Sequence, residues 1–441
     1  MTKQFEFFLK NFQLFFNIEN IEINYGVAEE KLISIVQSVD SSFWSENNDI
    51  NYGKIIWKEW NNVKIPFLFE KDDTKEILSF KNGKAIINYD IVASTFYFLS
   101  GWNELVNPDK DEFGRIRFGN SIIKELNIIR IPVVNYYFDI LSAAIATVNK
   151  NVKISLWNES KFSICLTHDI DTCNSAWLEG SFSELKKKRI FSIPKLLFKR
   201  LMGKDDWFNF DKITQIENQF NCSSSFYFLP KKGKTGSWKN ADYNIKRESM
   251  QAIIKLLINK GYEIGVHGSF GTHTNIEKLK TDIQNINQPS TVGNRFHFLM
   301  FDPLKTAGVL EECNIKYDSS LCFAEHIGFR RATCFPFFLY NFEKDCISEV
   351  IEIPLIVMDA TLANKKYMGL THEESLIRIF EIINEIKKFN GVFTLLWHNT
   401  FFSDYKYTGW KEVYIKILDY CISNDGLLTN GAEIYSRINR K

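Results

Sequence analysis

The run Ser163-Ile164-Cys165-Leu166-Thr167-His168-Asp169-Ile170-Asp171 is apolar at its start and ends on a histidine and two acids. Read with the period of two of a strand, Asp169 and Asp171 fall on one side, a pleat apart. Two carboxylates aimed together repel unless a cation or a shared proton separates their charges. The competing reading is a turn after a buried strand, with Asp as turn former. All seven histidines lie beyond residue 160, most of them where an apolar run ends. His267 follows Glu263-Ile264-Gly265-Val266, and His273 comes six residues later, after a loop with Gly268 and Gly271. His297 stands two residues after Arg295, and His398 ends Val392-Phe393-Thr394-Leu395-Leu396-Trp397. A carboxylate with imidazoles is borderline ligation that suits one divalent metal ion, zinc first, with iron, cobalt and nickel also accommodated. A catalytic ion keeps about three protein ligands and an open position. A second carboxylate beside it can then act as general base and a separate imidazole as acid.

The elements that must position these residues form a strand–helix alternation from Lys161 onward. Strands are expected over 162–166, 224–229, 263–266, 294–298, 317–321, 351–355 and 392–397. Helices are expected over 246–260, 276–286, 304–313, 373–390 and 411–423. Seven strands joined by helices predict an α/β barrel or an open doubly wound sheet, whose functional residues sit at the C-terminal strand ends. The stretch 173–210 is long for a connection between a strand and the next helix, and reads as a helical excursion that walls the site or merely packs. Before it, residues 1–158 read as a smaller α+β domain without histidine or a Gly-rich phosphate loop. Short strands are expected there over 21–26, 50–57 and 63–69, the last an edge because of Pro66. The polar loop 107–115, with its acids and Arg115, reads as structural or interfacial. The catalytic domain is expected over 159–441.

The totals narrow the function classes. A chain of 441 residues exceeds one hydrophobic core, so two domains are the default. Its net charge of +1 argues against nucleic acid as a partner, and clusters such as Lys186-Lys187-Lys188-Arg189 read as solvated faces. No apolar run reaches membrane-span length. The eight cysteines show no Cys-x-x-Cys pair, and the N-terminal amphipathic stretch lacks the look of a secretory signal, so a reducing, cytoplasmic setting is expected.

Thr167-His168-Asp169-Ile170-Asp171, Glu263-Ile264-Gly265-Val266-His267, Arg295 and Leu395-Leu396-Trp397-His398 resemble, in order, the motifs of the polysaccharide deacetylase family, the NodB-homology domains. The resemblance covers roughly 160–435. Together with the N-terminal region, Gly328-Phe329-Arg330 and Glu352-Ile353-Pro354-Leu355 look like a bacterial subgroup associated with surface-glycan synthesis. It implies a distorted (β/α)7 barrel and hydrolysis of an N-acetyl group on an amino sugar or glycan. By resemblance, Asp169 is the general base, Asp171, His267 and His273 bind metal, Arg295 orients the base, and His398 is the acid. The family's two metal histidines are four apart, one face of a helix. His267 and His273 are six apart, which only a folded loop can bring to one ion, so His297 is the substitute ligand. His168 and Arg330 are candidates for support behind the site, and Trp397 and Phe401 for a sugar-stacking wall. Two other readings stay open: hydrolysis of another linear or cyclic amide, and a degenerate, non-catalytic glycan-binding or scaffold protein.

Overall fold

The computed structural model describes residues 2–18, 22–26, 32–51, 55–70, 73–81, 83–107, 109–147, 154–288, 292–403 and 405–439. Ile21 and residues 52–54, within two of the expected N-terminal strands, lie outside this set. The largest sheet has ten strands: β1 (Phe162–Ile170), β2 (Ser225–Phe228), β3 (Glu263–Gly268), β4 (Gly293–Phe296), β5 (Tyr317–Asp318), β6 (Phe337–Asn341), β7 (Cys346–Glu352), β8 (Val357–Met358), β9 (Val392–Leu396) and β10 (Gly426–Thr429). Their order is β6-β7-β5-β4-β3-β2-β1-β9-β8, with β10 also paired to β1. All pairs are parallel except β6–β7. This is the expected α/β barrel in a curled form that strand pairing does not close. The sequence reading missed β6, β8 and β10, placed β7 late at 351–355, and stopped β1 four residues short. β1 is buried along its whole length, polar end included.

Register explains the interior. Asp169 pairs with Tyr227, Tyr227 with Gly265, and Gly293 with Tyr317. Gly265 and Gly293 have no side chain because the two tyrosine rings occupy that space. A Cβ on Gly265 would lie 2.3 Å from the Tyr227 ring, and one on Gly293 2.3 Å from the Tyr317 ring. The two hydroxyls meet at 2.9 Å above the glycines. The floor of the barrel is thus a large–small–small–large row. Two residues further along, on the same faces, come Asp171, His267 and Arg295.

Residues 1–147 contribute a four-stranded sheet, a two-stranded hairpin with Pro66 on an edge strand, and helices at Lys3–Gln13, Ile91–Ser100 and Val133–Ala146. One apolar core runs across the expected domain boundary. Helix Lys3–Gln13 places Phe7 edge-on against Tyr340, and Phe15, just beyond the helix, stacks on Phe335 at 3.8 Å. A buried ion cluster also crosses the boundary. Glu104 accepts from Arg330 at 2.9 and 2.7 Å and from Arg331 at 3.1 Å. Burial alone would raise the Glu104 carboxyl, but the two guanidiniums hold it below its ordinary value. Glu104→Ala leaves both guanidiniums buried without a carboxylate. It should lower stability by about 3–5 kcal/mol, read from urea unfolding.

Candidate metal centre and its flanking dyads

β1 ends in the polar residues the sequence singled out, and parity holds: Thr167, Asp169 and Asp171 share a side. Arg295, fully buried on β4, donates through Nη1 to Asp169 Oδ1 at 2.9 Å and to Thr167 Oγ1 at 2.8 Å. Its Nε and Nη2 donate to the Ser319 carbonyl and hydroxyl, and its guanidinium lies 4.7 Å over the Tyr227 ring. Burial works against the charge, yet Asp169 and these bonds raise the Arg295 pKa further.

Asp171 lies just past β1. Its Oδ1 is 3.2 Å from His267 Nε2 and 3.6 Å from His297 Nδ1, and the two nitrogens are 3.1 Å apart. Backbone carbonyls fix both rings: His267 Nδ1 lies 2.7 Å from the Arg295 carbonyl, and His297 Nε2 3.1 Å from that of Lys239. A carbonyl can only accept, so each ring spends its N–H outward. Neutral rings then turn lone pairs toward Asp171 Oδ1, which itself has no hydrogen-bond partner. Three acceptors face one another, so a proton or a cation must sit among them. Outer carbonyl partners of this kind are the usual support of metal-ligating histidines. The donor set fits a divalent ion. Burial alone would raise the Asp171 carboxyl, but the His297 and His267 imidazoles hold it well below the usual carboxylate range.

His273 is outside this group, which corrects its assignment as a ligand. Its ring lies near Phe296 and its backbone carbonyl accepts from Thr306, while burial lowers its pKa to about 4. The substitute, His297, takes the place. It is not on the strand, as expected, but in the 3-10 turn His297–Leu299. Phe298 and Leu299 there have φ of 59° and 55°, a strained region for bulky side chains. Arg115 from the N-terminal polar loop donates to the Phe298 carbonyl and is held by Asp111, so that loop braces the turn carrying His297.

His398 follows β9. Its Nδ1 lies 2.7 Å from Asp359 Oδ1, and its Nε2 is 3.8 Å from Asp171 Oδ2. Burial alone would lower this imidazole, but the Asp359 carboxylate raises it to about 10. The sequence reading missed Asp359; its signal was an acid directly after the short apolar run that became β8. A cavity of about 770 Å³ contains Asp169, Asp171, His267, His297 and His398, and is walled by Phe113, Arg117, Phe298, Lys366 and Tyr367.

Of the four supporting residues, Arg330, Trp397 and Phe401 lie elsewhere than expected. Arg330 braces Glu104, away from the acids. His168 is buried between the Trp397 carbonyl and Glu217, as a support behind the strand. Trp397 is fully buried beside Trp410 and Tyr414, and Phe401 stacks on Tyr407 at 3.8 Å, so both belong to the core and not to a substrate wall.

Residues 1–150 match a family described as a family of unknown function, DUF7033. A search of the curated proteins finds no match. Among solved structures, the chain is similar to a protein of Mycobacterium smegmatis assigned as a polysaccharide deacetylase, with a TM-score of 0.42, 15% identity, and 65% of this chain and 92% of that one covered. It is similar to the PuuE allantoinase, with a TM-score of 0.41, 8% identity, and coverage of 64% and 91%. A third likeness is to a mutant CE4-family pseudoenzyme with restored enzymatic activity, with a TM-score of 0.30, 10% identity, and coverage of 63% and 68%. Overlaps this partial carry no chemistry across, which has to come from the site.

His297→Ala should weaken zinc binding by more than about 100-fold in calorimetric titration, beyond the usual cost of losing an outer partner. His273→Ala should leave it unchanged. The reverse pattern would return the third position to His273.

Proposed function

We propose that this chain is a metal-dependent hydrolase that removes the N-acetyl group from an amino sugar in a surface-glycan precursor. The observation that carries this reading is the three-donor cluster flanked, in one cavity, by an Arg-held carboxylate and an Asp-held imidazole. Asp171, His267 and His297 would hold a divalent ion, zinc first, which would supply Lewis acidity toward the acetamide carbonyl and the attacking water.

The chain's own groups supply the proton transfers. Arg295 occupies Asp169 Oδ1, leaving Oδ2, 3.7 Å from His267 Nε2, to take the proton of the attacking water. Asp359 occupies His398 Nδ1, so the proton on Nε2 is the one to give. The Asp359 carboxylate favours the protonated ring against burial, which disfavours it. Transfer of the Nε2 proton lets the sugar nitrogen leave as an amine and not as an amide anion. Acetate and a free amino sugar result. Phe298 and Tyr367 line the cavity wall and give it apolar surface for the sugar. The support for a non-catalytic scaffold was the irregular second motif; with His297 as third donor that support goes.

Asp169→Asn should lower acetate release from N-acetylated nucleotide sugars or lipid-linked glycans by about 10²–10⁴-fold, with metal content unchanged. Turnover at the wild-type rate would remove Asp169 as the base. Asp359→Asn should lower kcat and leave zinc affinity intact. Hydrolysis of ureides in preference to every acetylated sugar would move the substrate to another amide class.

A further inference from the structure

The insertion between β1 and β2 carries an unpartnered amphipathic face. It contains helices α1 (Ala176–Lys186) and α2 (Ile193–Leu201), joined through a 3-10 turn at Ile190–Ser192. Of the fifteen large exposed hydrophobic side chains among the described residues, nine lie between Leu178 and Met202. Scattered exposed apolar residues are normal; this density is not. Phe191 is 92% exposed and Leu201 84%. Leu178, Phe182 and Leu185 follow i, i+4, i+7 spacing on one side of α1, and Leu197, Phe198 and Leu201 form a stripe on α2. The opposite side is the one that packs: Ala176, Gly180 and Glu184 are buried on α1. A Cβ on Gly180 would lie 2.6 Å from the Tyr405 ring and 3.1 Å from Leu196. The hairpin is therefore seated by its small residues, with its bulky apolar side turned out.

Charge decides what covers that side. Residues 176–204 hold eight Lys and Arg (Lys186, Lys187, Lys188, Arg189, Lys195, Lys199, Arg200 and Lys204) against Glu179 and Glu184, in a chain whose net charge is only +1. Among the described residues, only Lys187 and Lys199 of these eight meet an acid, Glu184 and Asp206. The Lys186 ammonium lies 4.4 Å over the exposed Phe182 ring, so cation and apolar surface share one side. A second copy of the chain would set one strongly basic face against another. An anionic bilayer accepts both features, apolar side chains below its headgroups and ammonium groups among them. No helix among the described residues is long and apolar enough to cross a membrane, which fits a segment that lies on the surface.

We propose that the α1–α2 hairpin docks this protein on anionic phospholipid surfaces, through Phe191, Phe198 and Leu201 together with the basic run 186–189. The hairpin starts shortly after Asp171. It is tied by the Glu179–Lys406 ion pair to the loop after His398, so docking involves the segments that bear the site but none of its reacting groups.

Co-sedimentation of the full chain with vesicles tests this without any activity measurement. Vesicles of equal parts phosphatidylcholine and phosphatidylglycerol should bind the protein at least ~10-fold more tightly than phosphatidylcholine alone, and added salt should weaken the binding. The pair Phe191→Ser and Leu201→Ser, both on exposed side chains, should lower binding at least ~10-fold. So should the triple change Lys186→Glu, Lys188→Glu and Arg189→Glu. Equal binding to both vesicle types, absence of binding, or wild-type binding by either variant overturns the proposal. So does wild-type self-association in sedimentation velocity that the Phe191/Leu201 variant abolishes, because a second copy would then cover the face.

Discussion

A guanidinium removed from water has to find partners for its N–H groups inside the protein, and Arg295 finds them by reaching across the curled sheet. It sits on β4, and its carboxylate partner Asp169 sits on β1, with β3 and β2 between them. In a flat sheet those strands would be about three spacings, roughly 14 Å, apart. The curl shortens the chord, and the row Tyr227–Gly265–Gly293–Tyr317 provides a floor over which the side chain can lie. Thr167, Asp169 and Ser319 then have little freedom to move without stranding a buried charge. Loss of either partner of such a pair is far costlier than the pair's net worth, which makes this link a positional constraint more than a source of stability.

That constraint separates two acids that are near neighbours in sequence. The Asp169 side chain is 3% exposed and tied to a permanent cation, so one oxygen is fixed and the other is directed at the cavity. The Asp171 side chain is 27% exposed and faces two imidazoles whose protons are spent on backbone carbonyls. One carboxylate is thus tied to a guanidinium, and the other faces two imidazoles. Asp359 does for His398 what Arg295 does for Asp169: it fixes one atom of the ring so that the other has a defined role. The centre follows a repeated rule, in which each reacting group has its far side satisfied by a buried partner.

Much of this was legible because strand periodicity is a backbone property. Parity placed Asp169 and Asp171 together, apolar runs that stop abruptly located His267 and His398 at strand ends, and the family resemblance singled out Arg295. What failed were matters of chain direction beyond those ends. His273 looked suitable because a glycine loop could fold it back, but its ring lies by Phe296 and outside the Asp171–His267–His297 group. Asp359 was hidden because β8 is only two residues long, too short for a period to register. The hairpin face was hidden for another reason. Helical spacing of apolar residues signals a buried side in most chains, and only the packing of Gly180 and Ala176 reveals that the other side was used.

His297 joins Asp171 and His267 from outside the sheet, and the N-terminal region braces the turn it opens. Had β4 continued straight, Arg295 and His297 would have followed each other along one face at strand rise, roughly 7 Å apart. Instead β4 ends at Phe296 and His297 opens a turn whose next two residues are left-handed; its Nδ1 lies 3.1 Å from His267 Nε2. Such a turn costs on the order of 1–3 kcal/mol per strained residue and persists only where its surroundings over-determine it. Arg115, held by Asp111, binds the Phe298 carbonyl from the far side, and Phe113 stacks on the Phe298 ring at 4.7 Å. The loop at 111–115 therefore braces the turn that follows His297, and it does so from a part of the sequence that contains no histidine of its own.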